Sequence, residues 1–351
     1  MNTRRHFLKT GVAVAAGFGG LHVLTGTTEA KTVKGYGALQ ADPKKILDLP
    51  KGFSYRVISK AGNPMADGLQ VPGAADGMAA FPGPKGLTVL VRNHELNPAI
   101  TGSGGAFGES NKNLTDQIRA KMYDAGGRHE GKQVPPSLGG TTTLVYDTKR
   151  GRLVREFLSL AGTVRNCAGG PTPWNSWITC EETADRAGGT LMQNHGYNFD
   201  VPATAQPRLA QAVALKAMGR FRHEAVAVDP KTGIVYQTED LGDSAIYRFI
   251  PKTPGKLAAG GRLQALVVRD SFSLDTRNWK EQFVKVGAKL AVSWVDLDEV
   301  ESPKNDLRLQ SQAKGAAKFA RGEGMWWGSG DVFFVCTSGG KKQHGQIWKH
   351  T

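Results

Sequence analysis

The chain has 351 residues, 40% of them hydrophobic and 22% charged, with a formal net charge of +14, 45 glycines and three cysteines. That balance excludes a disordered tail and a helical membrane bundle. Three cysteines exclude a disulfide framework and leave at least one thiol unpaired.

Thr3-Arg4-Arg5-His6-Phe7-Leu8-Lys9 carries the S/T-R-R-x-F-L-K pattern of a twin-arginine leader. A mild, glycine-dotted apolar stretch over residues 10–25 follows, then a small-residue cleavage site at Thr28-Glu29-Ala30. Residues 1–30 are therefore expected to be a signal peptide, too short and too weakly apolar to remain as a membrane anchor. The expected location is the periplasm or the cell exterior, reached folded through the twin-arginine translocation machinery. Loss of Arg4, Arg5, Lys9 and Glu29 removes a net +2 and leaves about +12. The remaining lysines and arginines are scattered rather than clustered. They predict a solvated basic surface that attracts anionic small molecules and binds no nucleic acid.

Residues 31–75 form a mixed lead-in with one strand expected at 53–58. Short apolar or alternating runs then recur at 87–91, 142–147, 152–154, 225–229, 234–236, 331–337 and 346–348. Turn chemistry bounds each of them, as in Thr148-Lys149-Arg150-Gly151 and Pro230-Lys231-Thr232-Gly233. These are hairpin strands, and the glycine excess belongs to their turns. An Asp-Pro-x-Thr-Gly turn between two strands is common in propeller blades. Inserts at 101–136 and 185–218 make the period irregular. Helical signal is confined to them, at 113–123 and 207–218. The expected fold is all-β: one irregular β-propeller with helical inserts over residues 31–351, not two domains.

Acidic residues cluster at strand ends. Glu95 follows His94; Glu181 and Glu182 close 177–180; His223-Glu224 opens a strand and Glu239-Asp240 closes its partner; Arg321-Gly322-Glu323 opens the last blade. Inner strand ends of a propeller converge on its channel, where carboxylates repel one another unless cations neutralise them. An oxygen cluster of this type suits calcium. Cys167 stands in the Gly/Pro-dense segment 165–174, read as a loop that offers a thiolate ligand or nucleophile, whereas Cys180 and Cys336 lie in strand-like runs. No C-x-x-C, H-E-x-x-H or G-x-S-x-G pattern is present.

Together, Asp76-Gly77-Met78, Arg92-Asn93-His94-Glu95, Asn166-Cys167-Ala168-Gly169-Gly170, Thr179-Cys180-Glu181-Glu182, Gly219-Arg220-Phe221-Arg222-His223-Glu224, Tyr236-Gln237-Thr238-Glu239-Asp240, Arg321-Gly322-Glu323-Gly324 and Gly345-Gln346-Ile347-Trp348 resemble the PhoX-type alkaline phosphatase family. The resemblance implies an exported, monomeric phosphomonoesterase on a propeller of about six blades, with iron and calcium in the channel. By motif, Cys167, Glu224 and Glu323 would serve iron, and Glu95, Glu182 (or its neighbour Glu181) and Asp240 would serve calcium. Arg321 would contact phosphate, so that Arg321, Cys167 and Glu323 form the expected catalytic group. The family continues past Gly-Gln-Ile-Trp with further acidic blocks, whereas Lys349-His350-Thr351 ends this sequence. A C-terminally incomplete last blade is therefore expected. Two other readings stand beside the phosphatase. One is a metal-binding propeller without hydrolysis that serves as a scaffold or ligand binder. The other is a calcium-propeller lactonase or phosphotriesterase, against which the cysteine segment argues.

Overall fold

The computed structural model describes residues 35–98 and 104–351, which fall into two compact units divided between Val57 and Ile58. The leader expected at 1–30 lies outside the described residues. In the first unit, β1 (Leu39–Gln40) pairs with β2 (Leu49–Pro50), and the Asp42 carboxylate accepts from the backbone N–H groups of Lys44 and Ile46. The strand expected at 53–58 does not form. Among the described residues no strand is assigned there, and the Tyr55 hydroxyl donates to Asp42 at 2.6 Å.

The second unit is built on four larger antiparallel sheets. The first contains β3 (Ala75–Pro82) and β4 (Thr88–His94); after the insert hairpin β5 (Gly127–His129) and β6 (Lys132–Val134) come β7 (Gly139–Asp147) and β8 (Arg152–Thr163), in the order β3-β4-β7-β8. The second contains β9 (Asn166–Pro171), β10 (Ser176–Glu181) and β11 (Asn198–Pro202). The third runs β12 (His223–Val228), β13 (Val235–Glu239), β14 (Ile246–Pro251), β15 (Gly261–Val268) and β16 (Val292–Asp296). The fourth is β17 (Gly322–Gly328), β18 (Asp331–Cys336) and β19 (Gln346–His350).

Two-residue periodicity stacks these sheets face to face. On β12, Val226 and Val228 join Ile178, Cys180 and Phe249 in a core against the second sheet. Ala225 and Ala227 point the other way, into a core with Met325, Val332 and Phe334 of the fourth. Phe81, Val89 and Val91 of the first sheet meet Trp177, Phe199 and Val201 of the second. The first strands run side by side, β3 by β9, β9 by β12 and β12 by β17. This is an all-β, propeller-like arrangement, with four blade-like sheets among the described residues where the resemblance implies about six.

The expected helices are mostly absent. Of 113–123, only one turn, α1 (Asp116–Arg119), is helical, capped by Thr115, whose hydroxyl accepts from the Ile118 N–H at 3.3 Å. Segment 207–218 spends its N–H groups on other segments: Ala210 on Ser159, Ala212 on Lys121 and Leu215 on Asn198, at 2.9–3.0 Å. Only a 3-10 turn at Lys216–Met218 remains. Conversely, α2 (Leu307–Ala313) lies outside both expected helical inserts and buries Leu307 and Ser311.

Candidate metal centre

The same irregularity opens all four sheets. Each first strand begins with a residue in register with the last residue of the second strand: Ala75 with His94, Asn166 with Glu181, His223 with Glu239 and Gly322 with Cys336. The next two residues of the first strand then face a single residue of the second, which is a β-bulge. A bulge turns its side chains off the regular ladder. The first bulged residues are Asp76, Cys167, Glu224 and Glu323.

A second repeat frames the first. The residue after the second strand donates its N–H to the carbonyl of the residue before the first strand: Glu95 to Ala74 at 2.8 Å, Glu182 to Arg165 at 2.9 Å, Asp240 to Arg222 at 3.1 Å and Thr337 to Arg321 at 3.0 Å. Glu95, Glu182 and Asp240 are thereby equivalent, as are Arg165, Arg222 and Arg321. Ala74, Arg165 and Arg321 adopt left-handed backbone (φ 48°, 50° and 55°) to enter the bulge.

These repeats bring most of the expected residues together. Cys167 Sγ lies 3.2 Å from Glu224 Oε2, and ligand atoms of Cys167, Glu182 and Glu224 all fall within 4.8 Å of one another. Arg165 bonds Glu182 closely and reaches Glu95 at 3.0 Å, while Arg222 holds the other Glu182 oxygen at 2.7 Å. Arg321 forks onto both oxygens of Asp240 at 2.7 and 2.6 Å and touches Glu323 at 3.0 Å. The sheets are also tied at this level: the Thr238 hydroxyl donates to the Glu323 carbonyl at 2.6 Å, and the Asn93 amide to the Ala168 carbonyl at 2.7 Å.

Burial and mutual repulsion push the acidic groups here toward their protonated forms. Burial, then the Glu224 charge, pushes the Cys167 thiol far up. Burial, then Glu323, does the same to Glu224. Glu323 rises to about 7 through burial and Asp240, and Asp76 to about 6 through desolvation and Glu95. A cation that replaces those protons would relieve the conflict, so the residues fit a metal. The thiol with carboxylates suits a transition ion, and the oxygen-only neighbours suit a hard cation.

Glu181 is not brought to this centre. As the last residue of β10, it alternates away from Glu182 and is fully buried. Its oxygens accept from the N–H groups of Val164, Gly196 and Tyr197 and meet the His195 ring. Glu239 occupies the equivalent position, accepts from the Tyr247 hydroxyl at 2.8 Å, and is pushed up to about 7 by burial. Cys167 stands in strand β9, not in the loop expected over 165–174. The glycines of β9 admit neighbouring backbone, since a Cβ on Gly169 or Gly170 would lie 2.0 Å from the Ile178 carbonyl oxygen or 2.1 Å from that of Val226. Asp76 was missed as a candidate, because Ala74 stands where the other three sheets have arginine. All three cysteines are free.

A family model described as alkaline phosphatase PhoX matches residues 34–351. The structure of Pseudomonas fluorescens PhoX in complex with vanadate, a transition state analogue, is similar in fold, with a TM-score of 0.55 and 17% identity, over 86% of this chain and 70% of that one. No curated protein matches. With nearly the whole length matched by one family model, the chain belongs to the alkaline phosphatase PhoX family.

Proposed function

We propose that this chain is a metal-dependent phosphatase of phosphate monoesters, exported folded by the twin-arginine pathway to the periplasm or beyond. The observation that carries the reading is the meeting of Cys167, Glu182 and Glu224 ligand atoms within 4.8 Å, in a member of a phosphatase family. Cys167, Glu224 and Glu323 would hold iron, and Glu95, Glu182 and Asp240 calcium. Bound cations would supply charge neutralisation and Lewis acidity at the phosphoryl oxygens. The chain's own part is binding and orientation. Arg321, whose Nε and Nη2 are held by Asp240 and Glu323, would offer its remaining Nη1 donors to phosphate. Arg165 and Arg222 orient Glu182 from two sides. The basic surface draws anionic esters toward the site.

The test is hydrolysis of p-nitrophenyl phosphate by the exported protein with calcium present, together with metal analysis, beside Cys167→Ala. The wild type should carry iron and calcium and turn over. The variant should lose iron and at least about 100-fold in rate, a loss of at least roughly 2.7 kcal/mol in transition-state stabilisation. Equal rates and equal iron would overturn the thiolate assignment, and a metal-loaded, inactive wild type would favour a ligand-binding propeller. Export has its own test: lysine at positions 4 and 5 should retain the protein in the cytoplasmic fraction, and unchanged export would remove that part of the proposal.

A further inference from the structure

A polar cleft of about 340 Å³ opens beside Glu182, with Asn97, Arg165, Asp185, Arg222 and Asn305 in its walls. It adjoins the candidate centre directly, since Glu182 shares the 4.8 Å cluster with Cys167 and Glu224. We propose that this cleft is the leaving-group subsite, and that it selects monophosphates of small, uncharged, polyhydroxylated alcohols such as sugars. The inference rests on the phosphatase reading above and narrows it to a substrate class.

Three features of the walls carry it. First, they include two guanidiniums, two carboxylates and two amides, so donors and acceptors both border the space. A subsite lined in this way favours hydroxyl-bearing ligands, because a ligand without hydroxyls displaces water from polar walls and returns no hydrogen bonds to them. Second, both wall guanidiniums are already paired with carboxylates, Arg165 with Glu95 and Glu182 and Arg222 with Glu182, which gives little advantage to a leaving group with its own negative charge. Third, no aromatic side chain lines the cleft among the described residues, so an aryl group or a nucleobase gains no stacking surface from them. At ~30 Å³ per water the volume corresponds to roughly ten waters, room for a hexose-sized group.

The walls are also fixed in advance, which limits the ordering cost of binding. Arg165 donates to Asn97 Oδ1 at 3.2 Å, and Arg222 to Glu182 Oε1 at 2.7 Å. The Asp185 backbone is pinned through its carbonyl by buried Arg220 at 3.0 Å and through its N–H by the Thr183 hydroxyl at 3.2 Å. The Asn305 N–H donates to the Ser302 carbonyl at 3.0 Å.

The experiment measures KM and kcat for glucose 6-phosphate and p-nitrophenyl phosphate with the metal-loaded wild type, Asp185→Asn, Asn305→Leu and the double variant. Thermal melting serves as the folding control, and the conservative Asp185→Asn change supplies the readout should Asn305→Leu fail to fold. The KM for glucose 6-phosphate should rise about three-fold or more in each single variant and about ten-fold in the double variant. The ratio of the two KM values should shift by nearly as much. Parallel shifts for both esters, or no shift, would overturn the subsite while leaving the phosphatase reading intact. A metal-loaded wild type that hydrolyses neither ester would overturn both.

Discussion

His195 is fully buried between two carboxylates, its Nδ1 2.6 Å from Glu181 Oε1 and its Nε2 3.4 Å from Asp124 Oδ2. Burial alone would lower its pKa, but the Glu181 charge and the Asp124 hydrogen bond outweigh it and raise it to about 9. The Glu181 carboxylate, which sequence reading left as an alternative metal ligand, is thereby committed to tying the segment 185–198 to β10. The linkage has a definite sign. The folded pKa lies above the unfolded value of about 6.5, so the stabilisation is fully present below that pH and is lost as pH rises through 9. Its size is of order 3 kcal/mol. Thermal melts from pH 6.5 to 10 should therefore show a wild type that loses stability steadily above the lower value. His195→Gln should be less stable at pH 7 and flatter in its pH response. Parallel curves for the two proteins would exclude a charged His195.

The bulge that opens each sheet depends on backbones that approach closely, and the glycines differ sharply in what they permit. A Cβ at Gly170 would lie 2.1 Å from the Val226 carbonyl oxygen, within the β9–β12 contact, whereas one at Gly324 would meet nothing within 4 Å. Gly170→Ala should lower stability by about 3 kcal/mol in urea unfolding, since overpacked backbone contacts cannot relax cheaply. Gly324→Ala should stay within about 0.5 kcal/mol. Similar midpoints for the two variants would contradict the close approach of β9 and β12. These elements also mark what was legible in the sequence. The strand runs at 87–91, 142–147, 152–154, 225–229 and 234–236 were readable because a period of two and Asp/Gly turns are local signals. Glu95, Glu182, Glu224, Asp240 and Glu323 were readable as strand-end acids. The choice between Glu181 and Glu182 was not, because only the register fixes which of two consecutive residues turns inward. Asp76 lacked the arginine two positions earlier that marks Cys167, Glu224 and Glu323. Gly169 and Gly170 resembled loop residues because the reason for them, backbone from two other strands, is tertiary.

In the unit from Ile58 to Thr351, each of the four stacked sheets sends one bulged residue, Asp76, Cys167, Glu224 or Glu323, toward one region. A group that engages several of them therefore links sheets that otherwise touch through their hydrophobic faces and a few hydrogen bonds. Without a cation the assembly carries acidic groups whose pKa values are raised by burial and mutual repulsion, so folding must either protonate them or bury their charge, which weakens the stack where its first strands meet. A cation that binds only the folded state adds about 2.7 kcal/mol at one hundred times its dissociation constant. Treatment with a chelator should therefore lower the melting temperature by several degrees, and calcium with iron should restore it. Glu224→Gln separates the two contributions. Removing that acidic group should raise the melting temperature of the chelated protein, because folding no longer has to bury a carboxyl either charged or at the cost of protonating it, and shrink the gain on adding metal, because a ligand goes too. A wild type that melts identically with and without chelator, at metal concentrations shown by elemental analysis to load and strip the protein, would rule out a centre that holds the sheets together.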